Sequence, residues 1–538
     1  MRYTFAGFVF SLAMAAAACT RQDPGVVTAP AAAPASFERA IEPSPAALNR
    51  SAVTPVQSTD SYYVSGAASV AARAENRIVA PARNIIIFVG DGMGVSTVTA
   101  GRIYAGQKRG LDGESYRLAM DKLPHLALSK TYAHDGQVSD SAATATAILS
   151  GVKTNLRTLG LTQSAQFGNC SSSEGAGTDS LFDLAERQGL STGLVSTARI
   201  THATPAAAYA ESASRNWEDD TASGLAAPCK DIAIQLVDWE EGDGLELAMG
   251  GGRRHFRTED ADDPEVEDRG GARTDGRDLT EEWTAKSAEH RVIYGQGAFE
   301  NTNFDSETKV LGLFEPSHMQ YEFDRVDDKL GEPSLAELTR AAITRLSRND
   351  SGYMLLVEGG RIDHAHHGTN AARALEDTDA FDLAVAAALV MTSSEDTLII
   401  VTADHSHTLT IAGYPARGNP ILGKSAYGIG ALARAGDGKP YTTLGYANGP
   451  GGGCRSAEGA DTPDCSREDL TDVDTTAKNF LQQALIPLSS QTHAGEDVPI
   501  FASGPGASLV SGVMEQHEIF HVIGRASGLV APSDPGDG

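Results

Sequence analysis

The stretch IIIFVGDGMG spans residues 85–94. It is a continuous apolar run ending in glycines, the pattern of a strand buried on both faces rather than alternately exposed. Similar runs recur at TGLVST (192–197), GYMLLVEGG (352–360) and TLIIVTADHSH (397–407). Helical patterns separate them. SLAELTRAAITRLSRN (334–349) opens with Ser334 and Glu337 in capping-box spacing, and NAARALEDTDAFDLAVAAALVMT (370–392) carries a long amphipathic repeat. Buried strands alternating with helices predict an α/β fold with a mainly parallel central sheet flanked by helices. Two regions break the rhythm and read as excursions from that sheet: acidic, turn-rich residues 253–330 and Gly-, Pro- and Asp-rich residues 413–490.

The strands deliver chemistry at their ends. Asp91 follows IIIFV, Glu358 follows MLLV, and Asp404 with His405 follows LIIVTA. Open parallel sheets bind ligands outside the carboxyl ends of their strands. A single Asp after a strand often only caps a helix, but three strands converging on one edge indicate a site. DHAHHG (363–368) adds to it. Asp363 and His367 are spaced to share one helix face and one metal, which leaves His364 adjacent to the site and His366 a bystander. In VSDSAATATAILSG (138–151), Asp140 reads as an N-cap, so Ser141 lies at a helix N-terminus, where free N–H groups favour an anionic hydroxyl and bound phosphate.

Composition bounds the partners. The 538 residues carry a formal net charge of −28, which repels phosphate backbones and argues against nucleic-acid binding. Residues 1–18 read as a signal peptide: Arg2 precedes the apolar run FAGFVFSLAMAAAA, and small residues lead to Cys19 in a lipoprotein-like cleavage box. Residues 19–80 read as that Cys followed by an Ala-, Pro- and Ser-rich flexible tether. The expected location is therefore the periplasm or cell surface, with a possible lipid anchor to the membrane through Cys19. The other cysteines, Cys170, Cys229, Cys454 and Cys465, form an even set in an exported chain. Sequence leaves three pairings open; locality favours Cys454–Cys465 with Cys170–Cys229.

VGDGMG, SDSAATATA, HATPAAAYAESASR, VEGGRIDHAHHG, TADHSH and THAGEDVPIFASGP, in this order, resemble the successive motifs of alkaline phosphatases. AGYPARG (412–418) and GLFEP (312–316) resemble the animal-type branch. The resemblance implies a catalytic domain over 81–530, with 413–490 a crown-like insertion at a homodimer interface. It implies two zinc ions, one held by Asp363, His367 and His493 and the other by Asp91, Asp404 and His405. A magnesium ion would take Asp91, Thr204 and Glu358. Oxygen ligands suit magnesium and mixed nitrogen and oxygen ligands suit zinc. Arg215 would clamp phosphate, with His202 and His364 beside it. His202 stands where many bacterial members carry Asp, which predicts a looser magnesium site. A structural calcium ion would take Glu265, the Phe314 carbonyl, Glu315 and Glu332; the loop before Glu332 is longer than in the family, and Asp327 or Asp328 could replace it.

The implied activity is hydrolysis of small phosphomonoesters, with broad specificity and a phosphoserine intermediate, releasing inorganic phosphate and an alcohol. Within the same superfamily, a sulfatase would need Pro and Arg where Ala143 and Ala145 stand, and a diesterase would generally lack the third-metal residues Thr204 and Glu358. A non-enzymatic calcium- or phosphate-binding surface protein would not need Ser141 beside Asp140.

Overall fold

A computed structural model of the chain describes residues 50, 52–74, 81–428, 430–453 and 466–530. Its strands, in chain order, are β1 (Asn84–Val89), β2 (His125–Lys130), β3 (Ser191–Arg199), β4 (Leu247–Gly251), β5 (His290–Ile293), β6 (Lys309–Leu313), β7 (Tyr353–Glu358), β8 (Thr397–Thr402), β9 (Ser406–His407), β10 (Leu409–Ile411), β11 (Leu444–Gly449), β12 (Ala484–Pro487), β13 (His493–Ala494), β14 (Val498–Ser503) and β15 (Gly512–Glu515). Ten of them form one sheet in the order β15-β2-β14-β8-β1-β7-β3-β4-β6-β5. Only β14 runs antiparallel to its neighbours, β8 and β2.

The opening stretch sits at the centre of that sheet as β1, every residue buried. Alternate side chains of a strand point to opposite faces, so one run feeds two cores. Ile85, Ile87 and Val89 pack with Ala142, Ile148, Leu149 and Phe520 on one face. Ile86 and Phe88 pack with Leu338, Leu355, Phe381 and Val385 on the other. Each fully buried Ile, Leu or Phe contributes ~1.5–3 kcal/mol relative to exposure, which makes the central strands a rigid floor. The expected helices cover the faces. Ser334 and Glu337 make the reciprocal capping box at the start of Leu335–Leu346, and Asn370 caps Ala371–Met391.

Register then levels the strand ends. Val89 lies opposite both Glu358 and Thr402, and Ser196 lies opposite Glu358. Asp91, Glu358 and Asp404 therefore emerge at one height. Gly92 makes the turn after β1 with φ +68, and a Cβ there would meet His407 at 2.3 Å. Both the backbone and the close approach demand glycine.

Two sequence readings are corrected. Residues 253–330 are not an excursion throughout: β5 and β6 extend the main sheet by parallel pairing. Lys309–Leu313 is fully buried, but its short length and the internal Gly312 weaken the strand pattern. The tether also does not run to residue 80. Ser61–Ala74 is a helix that buries Tyr63, Gly66, Val70 and Ala74 along one stripe, where Tyr63 meets Phe520 and His521. Its Ala- and Ser-rich composition resembles linker, yet small residues are what a close helix contact needs. Cys19 and the rest of residues 1–49 lie outside the described residues. Residues 413–490 do leave the main sheet, contributing β11 and β12 to a separate sheet ordered β10-β11-β12. Cys170 and Cys229 form a disulfide; Cys454 and Cys465 lie outside the described residues.

Candidate metal centre and nucleophile

Ser141 is the first residue of the helix Ser141–Ser150, and the Asp140 side chain accepts from the N–H groups of Ala142 and Ala143. Its Oγ is buried, 3.5 Å from each carboxylate oxygen of Asp91 and 3.2 Å from His405 Nε2. His405 Nε2 is also 3.4 Å from Asp91 Oδ1 and 3.3 Å from Asp404 Oδ2. Asp91, Asp404 and His405 thus offer ligand atoms within 4.8 Å of one another. Asp404 Oδ1 is held by the N–H groups of Gly92 and His405 at 3.0 and 2.8 Å, which aims Oδ2 into the site.

A second cluster stands beside it. His493 Nδ1 lies 2.8 Å from the Ser139 carbonyl, and His367 Nδ1 lies 2.6 Å from the Gln491 carbonyl. A carbonyl only accepts, so each Nδ1 carries the proton and each Nε2 presents a lone pair. Those lone pairs face each other across 3.1 Å, and each Nε2 is 3.3 Å from Asp363 Oδ1. Two lone pairs and a carboxylate aimed at one point call for a positive charge there. A proton is one answer: burial opposes it, but Asp363 raises the pKa of His493. A cation with mixed nitrogen and oxygen ligands is the other, and the donor set fits zinc.

Sequence reasoning missed His407. It is buried, its Nε2 lies 2.7 Å from Asp363 Oδ1, and it joins Asp363, His405 and His493 in one ligand-capable group. Its Nδ1 faces Gln491 Oε1. His405 and His407 are two apart after a strand and so share a side, a signal present in TADHSH. β9 pairs with β13 to set His407 opposite His493. His366, by contrast, is fully buried between Thr97 Oγ1 at 3.0 Å and Tyr446 Oη at 2.8 Å. It pins the core rather than the site.

The third cluster contains Asp91, Glu358 and His202. Glu358 Oε1 and Thr204 Oγ1 are buried without hydrogen-bond partners, while Ser196 Oγ donates to Glu358 Oε2. Orphaned buried oxygens beside Asp91 fit a hard, oxygen-seeking cation such as magnesium. Burial, then the charges of Asp404, Asp363 and Glu358, push Asp91 well above the usual carboxylate range. Burial, with Asp404 as the main charge, pushes Glu358 up to about 8. Burial would raise Asp363 as well, but His367, His407 and His493 hold it well below that range.

Arg215 closes the site. Its Nη1 donates to Asp140 Oδ2 at 2.9 Å, and its Nη2 lies 2.9 Å from His202 Nε2. The fork that suits a phosphate is thereby held flat against the nucleophile's own N-cap. His364 lies on the outer side, its ring 4.0 Å from that of His318 and 5.5 Å from that of His202. His318, a second residue that sequence reasoning did not single out, bonds to Arg199.

Away from the centre, Glu265, Glu315 and Asp328 offer oxygens within 4.8 Å of one another. Glu332 is not in that tight group. It is 2% exposed, accepts from the Gln320 N–H through Oε1, and leaves Oε2 without a partner, as Asp328 leaves Oδ2. The Phe314 carbonyl accepts from Arg253 Nη1 at 2.9 Å. Burial and neighbouring carboxylates push Glu315 up to about 8 and Glu332 up to about 9. Such a cluster fits a calcium ion, which would remove the repulsion.

Residues 82–529 match the family model described as alkaline phosphatase. The chain is similar to an alkaline phosphatase of Gadus morhua, 43% identical over 454 residues that span 83% of this chain and 92% of that protein. It is equally similar to the human tissue-nonspecific isozyme, 43% identical over 457 residues, 83% of this chain and 84% of that one. Among solved structures it resembles the Thermus thermophilus alkaline phosphatase, with TM-score 0.60 and 26% identity over 84% of this chain and 92% of that one. The enzyme of the Antarctic bacterium TAB5 shares the fold, with TM-score 0.57 and 23% identity over 84% of this chain and 99% of that one. A histidine-to-aspartate variant of the latter is described with magnesium bound in its M3 site.

Proposed function

The chain belongs to the alkaline phosphatase family and is a phosphomonoesterase; on that premise we propose that it works through a phosphoserine formed on Ser141. The observation that carries the proposal is the placement of Ser141 Oγ, buried at a helix N-terminus within 3.5 Å of Asp91 and His405. Asp363, His367 and His493 would hold one zinc ion, and Asp91, Asp404 and His405 the other. Asp91, Thr204 and Glu358 would hold magnesium. When bound, these cations supply Lewis-acid charge to the attacking and leaving oxygens of an in-line displacement.

The residues do the rest. Arg215 receives the phosphoryl group, already oriented by Asp140 and His202. The helix N-terminus favours an anionic Ser141 Oγ, whose proton leaves toward the acceptors around it. Ser141 Oγ bonds to phosphorus as the bond from phosphorus to the alcohol oxygen breaks, and the alcohol departs with a proton. Water then attacks the phosphoserine, returning Ser141 and releasing inorganic phosphate. Broad specificity follows if recognition is concentrated on the phosphoryl group. The test is turnover of p-nitrophenyl phosphate before and after chelation. Loss on chelation and recovery with zinc and magnesium support the reading; undiminished turnover in a fully demetallated protein contradicts it.

We also propose a calcium site at Glu265, Glu315 and Asp328, with Glu332 beside them and the Phe314 carbonyl held back by Arg253. A homodimer through the 413–490 crown is supported by its exposed apolar side chains, Tyr414, Leu485, Ile486 and Leu488. No helix of the described residues is long and apolar enough to cross a membrane. Export with acylation at Cys19 is tested by mass spectrometry of the mature N-terminus: an unmodified terminus beyond Cys19 overturns the anchor.

A further inference from the structure

Arg157 is one of three non-glycine residues described with positive φ, at +67. That conformation is unfavourable for an L-residue and persists only where its surroundings impose it. Here they do. The Arg157 N–H donates to Asp140 Oδ1 at 2.9 Å, and the Arg157 carbonyl accepts from the Arg215 N–H at 2.9 Å. One strained residue thus ties the N-cap of the nucleophile's helix to the phosphate-clamping arginine. Its backbone is thereby fixed beside the site.

That side chain has no ion pair and no hydrogen bond among the described residues. It is exposed, and its guanidinium lies over the ring of Phe167, 5.4 Å from the centroid. Phe167 is itself 44% exposed, on a loop fixed from several sides. The Gly168 N–H donates to the Ala213 carbonyl, two residues before Arg215. Leu161, Ala165, Ala176, Ala213 and Trp217 pack beneath the loop, with Cys170 and Cys229 against them. The disulfide between those cysteines closes it. A rigid aromatic shelf therefore holds a guanidinium without neutralising it. In a chain of formal net charge −28, an unpaired cation beside the phosphate clamp is an exception.

We infer that Arg157, supported by Phe167, is a specificity residue that receives a negatively charged group on the alcohol part of the substrate. The favoured class is phosphomonoesters whose leaving alcohol carries a carboxylate or a second phosphate. This rests on the phosphomonoesterase reading and deepens it. The phosphoryl group is taken by Arg215, and the alcohol extends toward solvent, where Arg157 is an exposed cation with no carboxylate partner among the described residues. A guanidinium binds either oxyanion through two parallel N–H donors. Because the rim is exposed, the preference is sensitive to ionic strength on the scale of a Debye length, about 8 Å at physiological salt.

The test uses the metal-loaded enzyme and two matched substrates. 3-Phosphoglycerate and glycerol 3-phosphate differ by a carboxylate against a neutral hydroxymethyl group. The quantity read is the ratio of their kcat/KM values. Arg157→Gly removes the side chain while suiting the positive φ, and we expect the ratio to fall about fivefold. Arg157→Glu should lower it at least tenfold, Arg157→Lys should retain most of it, and added KCl should lower it in the wild type. A ratio unchanged in Arg157→Glu overturns the inference, as does an equal loss on both substrates. Failure of the wild type to turn over either substrate would instead overturn the phosphomonoesterase reading.

Discussion

His367 Nε2 and His493 Nε2 point at each other across 3.1 Å, each with its Nδ1 proton fixed on a backbone carbonyl. The backbone therefore chooses the tautomers, and the tautomers prepare the proposed zinc cluster before any cation arrives. Asp363 completes it, and His407 Nε2 holds the same Asp363 oxygen at 2.7 Å.

His407→Ala is accordingly expected to weaken zinc affinity about 10- to 100-fold, the usual range for a residue that orients a ligand. Competition with a chromogenic chelator measures this directly. Wild-type affinity in the variant would show that Asp363 needs no such support.

His202 reaches both Arg215 and the Asp91–Glu358 pair. Replacing its imidazole with a carboxylate adds a hard oxygen donor where Glu358 and Thr204 already leave oxygens unpartnered. His202→Asp is expected to bind magnesium more tightly and to need less added magnesium for full turnover. A magnesium titration identical to wild type would remove this claim.

The acidic cluster at Glu265, Glu315 and Asp328 should loosen first when calcium is withdrawn. With zinc and magnesium restored after calcium removal, the thermal midpoint is expected to drop by several degrees, since binding to the folded state adds stability by mass action. Glu315→Ala should abolish the calcium response. A midpoint indifferent to calcium would reduce the cluster to a solvated charged loop.

Glu186 offers a pH test outside the candidate metal clusters. Burial first, and then the charges of Glu246 and Asp243, push its carboxyl up to about 8, from 4.5. Between those two values the folded chain keeps a proton that the unfolded chain has released, so stability falls as pH rises through this window. The loss is on the order of a few kcal/mol. Glu186→Gln cannot ionise and should flatten the stability profile from pH 4.5 to 8. An equally steep decline in the variant would place its cause elsewhere.

The central sheet was legible because β1, β7 and β8 are uninterrupted apolar runs, which a strand buried on both faces requires. The site was legible because its carboxylates follow those runs directly. Other features depend on what meets what in space. His407 was passed over because its partner, Asp363, lies on another element. β5 and β6 are short, and His290 and Arg291 give β5 an exposed look. The helix Ser61–Ala74 uses small residues for a close contact with Glu518–Ser527, and in sequence those residues resemble linker. Asp328 entered the acidic cluster through the course of a loop, which the family resemblance left open between Asp327, Asp328 and Glu332. Arg157 is unremarkable as a letter, and only its backbone conformation and its unpaired guanidinium draw notice.

Acid quenching of the enzyme during turnover tests the role of Ser141 as nucleophile most directly. Peptide mass spectrometry of the quenched protein should find phosphate on Ser141, in the peptide that begins the helix Ser141–Ser150. Ser141→Ala should carry none there and lose several orders of magnitude in turnover, leaving at most a residue of direct water attack. An unphosphorylated Ser141 in turning-over wild type, together with near-full activity of Ser141→Ala, would contradict the account.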